Sequence, residues 1–277
     1  MTDKYENLAL LVPGLALLAF AFLAPIAQML MLAFTDPGNG EFGGPLQHFY
    51  RFLSDGYYLG ILWRTVRLSL TITVISAVIG FPFAYIVSRV SPSLRLWLVV
   101  MVILPLMTSV VVRTFGWMVL LGRNGPVSDI LRALGLVQRN FSLMHTETAI
   151  IIGMVQVLLP FMVLSLIGVI GGIDRRLEEA ARTMGCSFLS MLRTVILPLS
   201  LPGLVSGSLL VFTLSASSFV TPSLLGGARI EVLAGSIYKS VTQTLDWPFA
   251  AAQAVILFLG VALLLVPYMT LSEKRNG

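Results

Sequence analysis

The sequence predicts an all-α integral membrane protein with six transmembrane helices, on three observations. Of 277 residues, 57% are hydrophobic and 11% charged, against roughly 25% charged in an ordinary soluble domain, and mean hydropathy is +0.91. Apolar stretches recur near residues 8–34, 65–88, 96–121, 149–172, 199–219 and 250–271, each close to the roughly 20 residues that a hydrocarbon layer of about 30 Å requires. All thirteen carboxylates, from Asp3 to Glu273, fall outside those stretches. Little chain is left for a separate soluble domain. The expected organisation is a first helix with its outer loop (1–64), a membrane domain (65–271) and a short tail (272–277).

The first apolar run, from Leu8 to Phe34, exceeds the 7 to 15 residues of a signal-peptide core, so it is expected to be retained, peripheral to a five-helix core. The loop after it interleaves Phe42, Phe49, Tyr50, Phe52, Tyr57, Tyr58 and Trp63. Such rings favour the headgroup interface, as an interfacial lid or as a docking surface for a partner outside the membrane. In the second span, Arg67 lies close enough to the outer edge to snorkel.

The third span carries Arg113 well inside it, where insertion costs about 2.5 to 3.5 kcal/mol. Its compensation is either structural, by snorkelling or by pairing with a carbonyl at a kink, or functional, by facing a solute path. Residues 127–137 place Val127, Ile130, Leu131 and Leu134 near helical spacing around Asp129 and Arg132, the pattern of a short helix on the membrane surface.

The fifth span holds Gly203 and Gly207 four residues apart, followed by Ser206, Ser208, Ser215, Ala216, Ser217 and Ser218. Small residues at that spacing let two helices approach, and hydroxyls bond across helices or line a wet path. Prolines at positions 13, 25, 82, 105, 160, 202 and 267 touch every span. They fit ordinary membrane-helix composition and equally fit kinked helices that leave room for a pathway.

Basic residues orient the chain. The segments on the N-terminal side (1–7, 89–95, 173–198 and 272–277) carry nine Lys and Arg in about 46 positions: Lys4, Arg89, Arg95, Arg175, Arg176, Arg182, Arg193, Lys274 and Arg275. The opposite side carries Arg51, Arg64, Arg123, Arg132, Arg139, Arg229 and Lys239, seven in about 87. The denser side is expected to be cytoplasmic, with both termini there. The excess of +5 is thus a topology signal.

Several chemistries are disfavoured. No lysine follows a glycine: Lys4, Lys239 and Lys274 follow Asp3, Tyr238 and Glu273, so the chain has no P-loop to cradle nucleotide phosphates. His48 and His145 lie in outer loops, and no span holds a Ser/His/Asp set, a metal cluster or paired aspartates, so no catalytic or metal-binding residues are expected. The single cysteine, Cys186, offers no internal disulfide. A passive channel remains as an alternative class, which an ATP requirement for uptake would eliminate.

The loop between spans four and five reads Glu179-Ala180-Ala181, three residues, Gly185, then Leu197-Pro198. It resembles the EAA loop of permease subunits in binding-protein-dependent ABC importers with the type I, MetI-like fold, with Val195 where the family pattern has isoleucine. Further segments resemble the spermidine/putrescine permease branch: Gly80 to Tyr85, Leu104-Pro105, Arg113-Thr114-Phe115-Gly116-Trp117, Phe219 to Gly227 and Asp246-Trp247-Pro248. The likeness covers nearly the whole chain.

The resemblance implies a bacterial inner-membrane permease whose loop couples to an ATPase through Glu179, Ala180, Ala181, Met184, Gly185, Phe188, Leu197 and Pro198. On a short helix, Ala180, Ala181, Met184 and Phe188 gather on one side, with Glu178, Glu179 and Arg182 towards another, and Gly185 permits a turn. It also implies an ATPase dimer that binds ATP-Mg, a second and different permease chain, a periplasmic solute-binding protein and alternating access. The candidate solute path is Arg113, Trp117, Ser215, Ser217, Ser218 and Phe219. A polyamine is the implied solute. Ser217-Ser218 stands where polyamine relatives often carry an acidic residue, so a zwitterionic or anionic amino-acid-derived solute is the second reading.

Overall fold

The computed structural model describes residues 2–35, 44–138 and 141–276, with side chains for 12–35, 44–138 and 141–263. Phe42, Arg139, Lys4, Pro267, Lys274 and Arg275 lie outside the residues or side chains so described. Among the described residues every regular element is helical.

Helix α1 runs Thr2–Ala33, α2 Gln47–Ser54 and α3 Gly56–Arg89. The expected lid is therefore helical, and α3 begins nine residues before the expected span at 65. Asp55 supplies the start, because its carboxylate accepts a hydrogen bond from the Tyr57 amide at 2.8 Å, satisfying a donor that the first turn cannot use.

The expected third span is broken. Helix α4 covers Pro92–Ile103, a 3-10 turn follows over Leu104–Met107, and α5 (Val110–Leu121) and α6 (Pro126–Ala133) leave in a direction bent by 94°. Pro105 has no N–H for the carbonyl four residues back. Its own carbonyl accepts from the amide and hydroxyl of Thr108, and Thr108 and Ser109 are extended. Arg113 consequently sits in the first turn of α5, four residues past the break, rather than deep in a continuous helix. The remaining helices are α7 (Glu147–Gly171), α8 (Arg175–Thr183), α9 (Phe188–Met191), α10 (Leu197–Ala216), α11 (Val220–Gly226), α12 (Leu233–Thr242) and α13 (Trp247–Asn276).

Four helical stretches are long and apolar enough to cross a bilayer: Val12–Ala33, Gly56–Arg89, Glu147–Gly171 and Phe188–Ala216. The bent pair makes a fifth if counted as one span, and Trp247–Leu263 is a shorter apolar helix among the described residues.

The chain divides into two compact units. One comprises residues 1–59 and 236–259. Phe52 and Phe249 are buried there, Tyr58 packs edge-on to Phe249 at 4.9 Å, and Arg51 lies over the same ring while pairing with Asp246 at 2.7 Å. Asp246 also accepts from the Phe249 amide, capping α13, and Pro248 occupies the first turn, where its missing N–H costs nothing. Of the outer-loop aromatics, Phe52 turns inward, whereas Tyr50, Tyr57 and Trp63 stay exposed.

The other unit comprises 60–235 and 260–277, with α7 at its core. Ile150, Met154, Leu158, Met162, Leu166 and Ile170 recur every four residues and are all buried. Lipid is as apolar as these side chains, so close contact rather than escape from water must hold such helices together. Helix α10 achieves it through Gly203, where an added methyl would lie 2.8 Å from Val169 Cγ2, and Gly207, where it would lie 2.9 Å from Met162 Sδ. Ser165 donates to the Gly203 carbonyl at 3.1 Å and shares a hydrogen bond with Ser206 at 2.9 Å. Arg67 does not simply snorkel: with Arg64 it flanks Glu147 in the first turn of α7, a site that the helix dipole also favours for an acid.

Candidate functional site

The polar loop from Gly172 to Leu197 is shaped by local signals at each end of its helices. Asp174 caps α8 by accepting from the Arg176 amide at 2.9 Å. The helix stops at Gly185, whose φ of +82° is one that side-chain-bearing residues rarely adopt. The Gly185 amide donates to Arg182 O at 2.9 Å and the Cys186 amide to Ala181 O at 3.1 Å, the Schellman pair of bonds that closes a helix end. An added methyl at Gly185 would meet nothing within 4 Å, so conformation, not space, requires glycine. Ser187 then caps α9, and a single π turn over Leu192–Ile196 leads into α10. That turn lies just before Pro198, which has no amide for the carbonyl of Thr194, and the Leu197 amide reaches back to Leu192 O.

The faces of α8 differ from the expectation. Ala181 is buried together with Glu178, three residues before it, while Glu179, Ala180 and Arg182 are exposed and Met184 and Phe188 are 78% and 54% exposed. Glu178 can turn inward because it is fully partnered. Tyr85 Oη donates to its Oε2 at 2.9 Å, and Arg89 donates from Nε to its Oε1 at 2.6 Å, with Nη2 at 2.5 Å. The Glu178 and Arg89 side chains are only 10% and 14% exposed. The outward face left to α8 and α9 combines Glu179, Arg182, Met184, Phe188 and Leu189. Leu197 and Pro198 are half-buried at the start of α10.

The solute-path candidates fall into two groups. Trp117 lines a cavity of about 880 Å³ between α3, α4, α5 and α7, with Ile79, Phe83, Met101, Gln156 and Pro160, and its indole N–H donates to Gln156 Oε1 at 3.4 Å. Arg113, Ser215, Ser217, Ser218 and Phe219 are not on that wall. Thr114 and Thr221 share a hydrogen bond at 3.1 Å, which joins the turn of α5 holding Arg113 to α11, immediately after Phe219. Ser215 is buried, and Ser217 is exposed with its hydroxyl donating to Thr213 O at 2.9 Å. Arg113 is half-buried, and its Nε and Nη1 atoms are buried with no hydrogen-bond partner.

Residue-by-residue reading missed Arg89, Tyr85 and Gln156 and set Glu178 on the wrong face. A signal existed for the first: Arg89 ends α3 and Glu178 lies in a loop assigned to the same membrane side, so opposite charges were within reach of one another.

A bundle of helices long and apolar enough to cross a bilayer, with a capped, amphipathic polar helix between two of them, is the architecture of a multi-pass permease component. The chain belongs to the family described as binding-protein-dependent transport system inner membrane component, which it matches over residues 77–276. It is 34% identical to the spermidine/putrescine transport system permease protein PotB of Haemophilus influenzae over 96% of this chain and 90% of that one. To PotB of Escherichia coli it is 33% identical over 82% of each. The fold matches a bacterial ABC transporter involved in the import of the acidic polysaccharide alginate with a TM-score of 0.72 and 18% identity, over 100% of this chain and 98% of the other.

Proposed function

We propose that this chain is a permease subunit of an ATP-driven importer of polyamines, which crosses the membrane six times with both termini in the cytoplasm and couples to a separate ATPase through α8. The reading is carried by the outward face of α8 and α9: exposed Met184 and Phe188 beside Glu179 and Arg182 form an apolar patch with charged edges, on a helix too short and polar to cross a bilayer. Such a face suits a groove on a soluble motor. Closure of an ATPase dimer moves α8 as a rigid body, and the bundle alternates between outward and inward access. A second, different permease and a periplasmic solute-binding protein complete the assembly. Hydrolysis of ATP-Mg belongs to the ATPase.

Polyamine as solute is supported by the likeness to PotB proteins over nearly the full chain. A zwitterionic or anionic amino-acid-derived solute is the second reading, favoured by the unpartnered nitrogens of Arg113. The test is uptake of labelled putrescine and spermidine by cells carrying the whole importer, alongside calorimetry of the binding protein against both amines and against amino-acid-derived anions. ATP-dependent amine uptake, abolished by Glu179→Lys and by Gly185→Arg while each variant still reaches the membrane, is the expected outcome. Normal uptake by both variants overturns the coupling role, and calorimetric preference for an anion transfers the assignment to the second reading.

A further inference from the structure

The Glu178 cluster does more than satisfy one buried carboxylate. Arg89 also donates from Nη1 to Ile170 O at 3.4 Å, which also accepts from the Ile173 amide in the closing turn of α7, and from Nη2 to Ile173 O at 3.5 Å, just beyond that helix. Arg175, in the first turn of α8, donates to the Arg89 carbonyl at 3.2 Å. Arg89 stacks 5.7 Å from the Tyr85 ring, and Tyr85 meets Phe188, the first residue of α9, edge-on at 5.9 Å. One guanidinium therefore ties the end of α3, the end of α7 and the inward face of α8. The outward face of α8 remains free for a partner.

We infer that Arg89, Glu178 and Tyr85 form the joint that passes displacement of α8 to α3 and α7, with Arg89 and Tyr85 as positioning residues that act through Glu178. This rests on the proposed coupling of α8 to an ATPase. The geometry favours a joint over a simple anchor on two grounds. First, the bonds converge from three elements on a planar, five-donor group that keeps its fork geometry when it is pulled. Second, α8 is linked to its neighbours by only short segments: Gly172 to Asp174 on one side, and the Gly185 turn on the other. Without the cluster, α8 swings about those two links; with it, a push on α8 reaches the last turns of two long helices.

Cys186, the only cysteine, sits directly after the Gly185 turn and reports on the loop. An introduced thiol, Thr148→Cys with Cys186→Ser, reports on the opposite end of α7, where Thr148 is exposed. In inside-out vesicles carrying the assembled importer, maleimide reaction rates are measured with and without ATP-Mg and orthovanadate. In the otherwise unaltered importer, both thiols should change rate with nucleotide.

With Arg89→Gln the change at Cys186 should persist, while the change at position 148 should fall about tenfold. Arg89→Lys, which keeps the charge beside Glu178, should restore part of it. The Arg89→Gln, Glu178→Gln pair should lose no more than either single substitution, as expected of residues acting as a unit. A full response at position 148 in Arg89→Gln overturns the joint and leaves ATPase coupling intact. If Arg89→Gln does not assemble, Tyr85→Phe decides: it keeps the ring on Phe188 and loses one bond, so a response at 148 equal to the unaltered importer's counts against the joint and a severalfold loss supports it. No nucleotide response at Cys186 in the unaltered protein overturns the coupling reading itself, and the joint with it.

Discussion

Two arginines withdrawn from solvent in the same compact unit are treated in opposite ways. Arg89 spends its guanidinium on a carboxylate and two helix-end carbonyls, whereas Arg113 holds two buried nitrogens with no acceptor. A saturated charge fixes its neighbours in place; a buried donor without an acceptor stores no rigidity and is available to whatever acceptor arrives. The first holds three elements together through the bonds it makes, and the second leaves two buried donors unused. This contrast separates the α8 loop from the α5–α11 region more sharply than hydropathy does.

The largest way to break the contrast is to remove one partner of the saturated pair. Glu178→Gln leaves Arg89 buried beside a neutral amide and should destabilise the purified permease by about 3–5 kcal/mol, the range for breaking a buried ion pair, read as a loss of thermal stability in detergent. Overfilling the interface between α7 and α10 should follow: Gly203→Leu forces Val169 and the Ser165 backbone apart and should cost about 1–3 kcal/mol by the same assay. Gly185→Ala tests the turn alone, since space is free there, and should cost about 1–2 kcal/mol for left-handed backbone in a residue with a side chain. Thr114→Val removes the hydroxyl bond to Thr221 that joins α5 to α11, along with the donation to Val110 O within α5, and should cost about 0.6 kcal/mol, the average for hydrogen bonds between helices within membranes. Arg113→Met should carry the opposite sign. It breaks no bond and removes a charge, so stability should stay the same or rise, and a loss comparable to that of Glu178→Gln would erase the distinction between the two arginines.

Local chemistry made much of the loop legible in the sequence. Gly185 marks a left-handed turn, Pro198 disturbs the helix just before it, and Gly203 with Gly207 announces a close helix contact; each acts within a few residues of itself. The inward turn of Glu178 was not legible, because it depends on Arg89, 89 positions earlier. Helical periodicity alone placed Glu178 with Glu179 and Arg182, and pairing overrode it. The early start of α3 hinged on one capping carboxylate, Asp55, inside an aromatic-rich segment whose composition suggested an interfacial loop. Proline was a poor guide to breaks: Pro82, Pro160 and Pro202 sit inside uninterrupted helices, and among the described residues the sharply bent helix pair is the one in which Pro105 is followed by Thr108 and Ser109 outside the helix.

That bend constrains the surroundings of the protein. Hydrocarbon supplies neither donors nor acceptors, so peptide groups that leave a helix at bilayer depth must find them in water or in another polypeptide. If the stretch from Leu104 to Ser109 lies at that depth, it cannot face acyl chains directly. Whatever covers it there, water or polypeptide, must bring polar atoms of its own to that corner.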